Sequence, residues 1–366
     1  MTNSIRRSRV LYVTSRERSY ARNQTLVRAL EHYADVEVIA PAGDGRGAQR
    51  RLTYIWGLVR VIISVLVRAL HPRRRRDTLV VGFLAQPLAV ALRPFWRGRF
   101  VADAMISVYD TVCGDKQLAS PGSTLGRIAR WLDSYLVRHA DALIFDTHAH
   151  RAYFQALFGA LPSSCIVPVG ARRLSRAGSV RTPSNRLQVV FAGSYVPLQG
   201  ARVIAEAARL LKDDPIDVTM IGTGQEFDEV VANARQRDLP NLNFVGWLTL
   251  AALDDWYHRA DVILGIFGRT EKAQRVIPNK VFEALSIGRP VITSDTTAIR
   301  ELFVPGRDLI CCAANDPASL ADAIRWASAH TAELQAIALA GQAAFERHAS
   351  DAAIVAALQP VLGQAE

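Results

Sequence analysis

Short, continuously apolar runs recur along the chain, each followed by a helix-type stretch, and this alternation narrows the accessible folds most. In the first half the runs are RVLYVTS (9–15), VEVIAP (36–41), TLVVGF (78–83), RFVADAM (99–105), ADALIFD (140–146) and SSCIVPVG (163–170). Strands that are apolar on both sides are covered on both faces, and strands separated by helices run parallel. The polar, basic segment ARRLSRAGSVRTPSNR at 171–186 contains Gly and Pro and breaks the pattern as a linker. The alternation then restarts with LQVVFAG (187–193), IDVTMIG (216–222), LNFVGWL (242–248), DVILGIF (261–267), PVITSD (290–295) and DLICC (308–312). The expected fold is α/β, with two Rossmann-like, doubly wound parallel-sheet domains spanning 1–172 and 187–344. A C-terminal helix within 345–366 is expected to pack back on the first domain. Ligands of such sheets sit beyond the carboxyl ends of the strands, which places the expected site in a cleft between the two sheets.

Half of the 366 residues are hydrophobic, which excludes global disorder and supplies sizeable cores. A formal net charge of +10 points to an anionic partner. The basic residues are scattered or held in one run, without interleaved stacking aromatics, so a nucleic-acid partner is not expected. The four cysteines, Cys113, Cys165, Cys311 and Cys312, have no metal-ligand spacing and suit a reducing compartment. The N-terminal stretch MTNSIRRSRVLYVTSRE lacks the apolar core of a signal peptide, so a cytoplasmic protein is expected.

One apolar segment carries two opposite charges. In VIPNKVFEALSIGRPVI (276–292), Pro278 and Gly288 bracket a short helix, and Lys280 and Glu283 fall on one edge of it. The helix N-terminus offers free backbone N–H groups to a phosphate, and Lys280 adds a point charge for a diphosphate. Glu283, one turn deeper, can accept both hydroxyls of a ribose. The competing reading is a weak surface ion pair. Gly193, Gly222 and Gly224 stand at strand ends, where backbone turns tightly or approaches a ligand.

In the first domain, RFVADAMISVYDTVCGD places Asp103, Tyr109 and Asp110 near a carboxyl strand end on the side of the expected cleft, either as ligand contacts or as helix-cap and loop hydrogen bonds. Arg22, with Asn23, follows the first strand toward the same side. His148 and His150 in DTHAH lie two apart and share no helix face, so they read as polar residues at a helix start and no metal site is expected. In RLTYIWGLVRVIISVLVRAL (51–70) the non-apolar positions Thr53, Gly57, Arg60, Ser64 and Arg68 form one narrow helical stripe, and Arg73, Arg74, Arg75 and Arg76 follow. Arg60 and Arg68 in its interior argue against a membrane span. A buried domain helix and a helix lying on an anionic leaflet through 51–76 both remain open, the second with the polar stripe turned toward the protein or the headgroups.

PNKVFEALSIGRPVI, followed by AIRELFVPGRDLI, resembles the donor-site signature of family 4 retaining glycosyltransferases of the GT-B fold. The resemblance extends through FAGSYVPLQGARVIAEAARLL, MIGTGQEFDEV and NLNFVGWL, and covers nearly all of the second domain. It implies transfer of a hexose from a UDP- or GDP-linked sugar to a hydroxyl of a lipid-linked or polysaccharide acceptor, with retention and without a metal or other cofactor. By position, Glu283 falls at the second glutamate of the family's E-x7-E motif and Lys280 at its pyrophosphate lysine, with Pro278 and Asn279 beside them. The chain departs from the pattern at Arg275, where the first glutamate is expected, and at Ser194 and Gln199, where a basic pair is common. Lys272 and Arg275 are therefore candidates for part of the phosphate load. A nucleotide-sugar epimerase of the same double-Rossmann fold and a family member without activity are the alternatives. The expected location is the inner face of the cell membrane.

Overall fold

The computed structural model describes residues 8–16, 18–41, 48–71, 77–175 and 185–362, and only the backbone of 48–54. The four arginines at 73–76, the Thr53 side chain and linker residues 176–184 lie outside the described residues. By contact the chain divides into Met1–Gly170 with Asp351–Glu366, and Ala171–Ser350.

The first unit runs β1 (Ser8–Val13), α1 (Ala21–Tyr33), β2 (Ala34–Ile39), α2 (Ala48–Leu70), β3 (Thr78–Val81), α3 (Ala85–Leu92), β4 (Phe100–Asp103), α4 (Thr124–His139), β5 (Ala142–Phe145), α5 (His148–Phe158) and β6 (Ser163–Ile166). The strands form one six-stranded sheet in the order β2-β1-β3-β4-β5-β6, and every pairing is parallel. The chain steps from β1 to one side, then crosses back over it to build β3 to β6. Right-handed crossovers therefore send α1 to one face and α2 to α5 to the other. The cores agree. Val61, Val65, Leu88, Leu136 and Phe154 pack on one face, and Leu26, Leu30, Ile354 and Leu358 on the other.

The second unit runs β7 (Leu187–Gly193), α6 (Ala201–Leu210), β8 (Ile216–Gly222), α7 (Phe227–Gln236), β9 (Leu242–Val245), α8 (Leu250–Arg259), β10 (Val262–Leu264), α9 (Asn279–Ser286), β11 (Val291–Ser294), α10 (Thr297–Leu302), β12 (Ile310–Cys312), α11 (Pro317–Ala329) and α12 (Thr331–Ala349). Its six parallel strands lie in the order β12-β11-β10-β7-β8-β9, so the strand order reverses between β7 and β10. β7 and β8 occupy the residues expected from the sequence, whereas β10 is shorter. Past Leu264 the backbone still bonds β11, with Gly265 N–H donating to the Ile292 carbonyl and Ser294 N–H to the Ile266 carbonyl, and the Phe267 and Gly268 N–H groups then donate to the Gln199 and Leu198 carbonyls. These last two bonds seat the loop after β10 on the loop after β7.

The last helix, α13 (Asp351–Leu362), begins after a break at Ser350 and packs on α1, β5 and β6 of the first unit. The Arg28 Nε donates to Asp351 at 3.1 Å, and the Tyr33 hydroxyl donates to the Val355 carbonyl at 2.8 Å. Residues 345–349 stay with α12 in the second unit.

α2 corrects one expectation. The stripe turned toward the protein is not the polar one but Val61, Val65 and Ala69, all buried. The polar stripe flanks it, with Arg68 paired to Glu37 on β2. Ile55, Trp56, Val59, Ile63, Val67 and Leu70 point outward, and the Trp56 side chain is 65% exposed. Among the described residues no helix is long and apolar enough to cross a membrane.

Candidate functional site

The constellation grows from α9. Pro278 is extended (φ −73°, ψ 150°) and precedes the first helical residue, while Gly288 at φ +66° takes the left-handed conformation that ends the helix. Following β10, the helix opens at the carboxyl edge of the second sheet, beside the reversal of strand order. All of Lys280 to Leu285 is buried. A short helix buried through its first turns must place its charged residues against something specific.

Lys280 is 7% exposed, and its ammonium has no hydrogen-bond partner. It lies 3.8 Å above the ring of Phe191 on β7. Burial pulls it down to about 7, opposed by attraction to Glu283. Glu283 is 6% exposed and pairs with the Arg172 Nε at 3.0 Å. Burial pushes its carboxyl up to about 7, Arg172 pulls it back and Asp254 adds to the rise. The surface ion-pair reading of Lys280 and Glu283 is thereby excluded: both are buried. Burial disfavours both charged forms, and an anion beside Lys280 or hydrogen-bond donors beside Glu283 would offset that cost.

Around them lies a tight pair of loops. Gly222 has φ +114°, and a Cβ there would stand 2.0 Å from the Gly193 carbonyl oxygen. A Cβ on Gly224 would stand 1.7 Å from the Ser194 oxygen. These glycines therefore allow the loop after β8 to seat on the loop after β7. The Ser194 N–H donates to the Gln199 side-chain oxygen at 2.9 Å, so Gln199 braces the loop where a cation was expected from the resemblance. Tyr195 adopts φ +48°, with its ring buried against Phe191 and Phe227 and its hydroxyl unpartnered. A one-turn helix, Glu271–Gln274, precedes α9 and is capped by the Thr270 hydroxyl. Arg275 follows it and contacts Glu271 at 3.4 Å, while Lys272 and Asn279 are half-buried nearby in sequence.

The first-unit candidates separate into two groups. Arg22 and Asp103 are spent on each other: both are fully buried, with Arg22 Nε and Nη2 donating to the two carboxylate oxygens at 3.1 and 2.9 Å. The Arg22 Nη1 also donates to the carbonyls of Val167 and Pro168. The pair ties α1 to β4 and the end of β6. The second group is centred on Asp133 of α4, whose carboxylate accepts from the N–H groups of Val108 and Tyr109 and from the Ser107 hydroxyl. Asp110 is buried, donates its N–H to Ser107, and opens a π-helical turn over Asp110–Asp115. His148 begins α5 behind the Thr147 cap. His150 has a carboxylate partner four residues back in the sequence. Its Nδ1 meets Asp146 at 2.7 Å, one helical turn back, in a buried pair. Among the described residues no group of histidines, cysteines and carboxylates could hold a metal ion.

Sequence reasoning missed Arg172, Asp254 and Tyr257. Arg172 bridges Asp254 of α8 and Glu283 of α9, and Tyr257 is buried beside Glu283. Arg172 opens a segment that reads as linker, and nothing local marks its partners.

Residues 186–330 match the family model described as Glycosyl transferases group 1, so the second unit carries a domain of that kind. The chain is 28% identical over 206 residues to a glycogen synthase of Mycobacterium tuberculosis, covering 55% of this chain and 49% of that one. It is 28% identical over 114 residues to a putative colanic acid biosynthesis glycosyl transferase of Escherichia coli, covering 31% and 28%. The chain thus spans about half or less of the curated relatives it matches. Among solved structures, it resembles sucrose-phosphate synthase of Thermosynechococcus elongatus, with a TM-score of 0.75, 14% identity and coverage of 97% and 98%. It also resembles HepE of Anabaena in complex with UDP and glucose, with a TM-score of 0.69, 15% identity and coverage of 97% and 99%. At these identities the likeness establishes the fold: two Rossmann-like units of the GT-B type.

Proposed function

We propose that this chain is a retaining glycosyltransferase of family 4 that moves a hexose from a nucleoside diphosphate sugar to a hydroxyl of a lipid-linked or polysaccharide acceptor. The observation that carries the reading is the buried, unpartnered Lys280 ammonium in the first turn of α9, one turn from the buried Glu283 carboxylate. A ligand that offers a diphosphate to the first and a vicinal diol to the second offsets both desolvation costs at once. In this scheme Lys280 and the α9 N-terminus neutralise the charge that develops on the leaving diphosphate. Glu283 orients the ribose. Lys272 and Arg275, together with backbone at Gly193, Ser194, Gly222 and Gly224, contribute to the same donor site. The phosphate charge is met by Lys280 and the helix end, so the scheme assigns no role to a metal and requires no protein nucleophile. Asp110 and Tyr109 act on the sugar and acceptor side.

The same proposal places the protein on the inner face of the cell membrane. Its support is the outward face of α2, with Trp56 and its aliphatic neighbours, and a second outward face on α4. There Leu125, Ile128 and Trp131 are about half exposed and alternate with exposed Arg127, Arg130 and Arg138. α2 and α4 cover the same face of the first sheet. Apolar area and cations presented together suit an anionic leaflet.

Isothermal titration with UDP, GDP and ADP, followed by product analysis with the matching nucleotide sugar, tests the donor reading. One diphosphate should bind in the micromolar range, and transfer should require an added glycan or lipid-linked acceptor. A changed sugar configuration on the nucleotide without any acceptor would point to an epimerase. Binding of none of the three would remove the donor site.

A further inference from the structure

Arg172 stands at the second position of the second unit and joins three segments that are far apart in the chain. Its Nε lies 3.0 Å from Glu283 Oε1 on α9, and its Nη2 pairs with Asp254 on α8. Asp254 is itself fixed, because the other carboxylate oxygen accepts from the Ser175 N–H at 2.7 Å and the Ser175 hydroxyl at 2.8 Å. The His258 Nε2 meets the Ser175 carbonyl at 2.9 Å, which holds the same segment to α8 again. The guanidinium is 7% exposed, so bulk water does not loosen the arrangement.

We infer that Arg172 is a positioning residue of the donor site: its guanidinium holds the Glu283 carboxylate ionised and oriented to accept the hydroxyls of the donor's ribose. The inference rests on the donor-site reading above. A carboxylate accepts hydrogen bonds at both oxygens, whereas a carboxylic acid turns one oxygen into a donor and presents a mismatched edge to a diol. Burial favours the acid. The groups facing Glu283 are Arg172 from the linker side, Asp254 and Tyr257 from α8, and Lys280 from its own helix. Of these, Asp254 also favours the acid, while Arg172 and the weaker-acting Lys280 oppose it. Arg172 is thus the principal cation that draws Glu283 toward its acceptor form, and anchoring by Asp254 fixes where the carboxylate points.

The effect is separable from phosphate binding, which falls to Lys280 and the helix end. The test compares UDP with its 2′,3′-dideoxy analogue by isothermal titration, with GDP and ADP and their dideoxy forms in parallel. In the unaltered protein the preferred diphosphate should bind at least tenfold tighter than its dideoxy form at pH 7.5. Glu283→Gln should abolish that preference at every pH. Arg172→Gln should reduce it below threefold at pH 7.5, leave the dideoxy affinity within threefold of wild type, and recover the preference as pH is raised to 9. Arg172→Lys, which keeps the charge without the fork, should retain an intermediate preference. It carries the same comparison should the glutamine variant fail to fold. Equal loss of affinity for ribose and dideoxy forms would make Arg172 merely structural. A wild-type preference in both Arg172 variants, with Glu283→Gln defective, would overturn the inference and leave the donor site standing. No ribose preference in the unaltered protein would overturn both.

Discussion

Replacing Lys280 with Met should stabilise the unliganded protein while weakening nucleotide binding. The ammonium is buried without a hydrogen-bond partner, and burial draws its pKa from 10.5 to about 7. A folded-state pKa below the unfolded value means that the unfolded chain binds the proton more readily. The resulting destabilisation is absent above about pH 10.5, grows as pH falls, and is complete below about 7. At pH 7.5 the difference spans roughly three units, or ~4 kcal/mol at about 1.36 kcal/mol per unit. Met has similar length and keeps a sulfur contact with the Phe191 ring, so little packing is lost. Even half of that figure, about 2 kcal/mol, raises Tm by about 4–8 °C for a domain of this size. Thermal unfolding of both proteins between pH 7 and 10.5 measures the gain, which should shrink toward the alkaline end. In the same variant affinity for the preferred nucleoside diphosphate should fall at least tenfold, because a charge-assisted hydrogen bond is worth about 1.5–3 kcal/mol. A less stable variant, or one that binds that diphosphate as well as wild type, would refute the reasoning.

Because Lys280 is drawn down to about 7, diphosphate binding at pH 8 should take up a proton, visible as a buffer-dependent binding enthalpy in calorimetry; equal enthalpies in phosphate and Tris would contradict it. Glu283→Gln should cut transfer at least tenfold with the fold intact by circular dichroism, and a wild-type rate would return Glu283 to a structural role. Asp110→Asn should lower transfer more than it lowers nucleoside diphosphate affinity, whereas a parallel fall in both would remove it from the acceptor side. Arg22→Met should destabilise the first unit by about 3–5 kcal/mol, since it strands the fully buried Asp103 carboxylate, and Asp103→Leu added to it should recover much of the loss in denaturant titration. Trp56→Glu together with Trp131→Glu should abolish co-sedimentation with anionic vesicles at low salt, and undiminished pelleting would exclude the α2 and α4 faces as the docking surface.

Local pattern alone determined the architecture. Apolar runs covered on both sides demanded parallel strands and alternating helices, and LQVVFAG and IDVTMIG became β7 and β8 residue for residue. Bracketing by Pro278 and Gly288 likewise defined α9, and two charges inside an apolar stretch made Lys280 and Glu283 conspicuous in the sequence. Such features depend on neighbours within one or two turns, so the sequence contains them. Pairings across long separations are different. Arg22 looked like a site residue until β4 supplied Asp103, 81 residues away. The outward face of α2 became distinct from its buried face only once Val61, Val65 and Ala69 met the sheet. Arg172 is the clearest case, since its sequence surroundings read as linker. Its role depends on α8 and α9 converging on one point, where burial turns the choice of ion-pair partner into control of the Glu283 proton. A linear sequence specifies which charges exist, but only packing decides which of them lose water and must find one another.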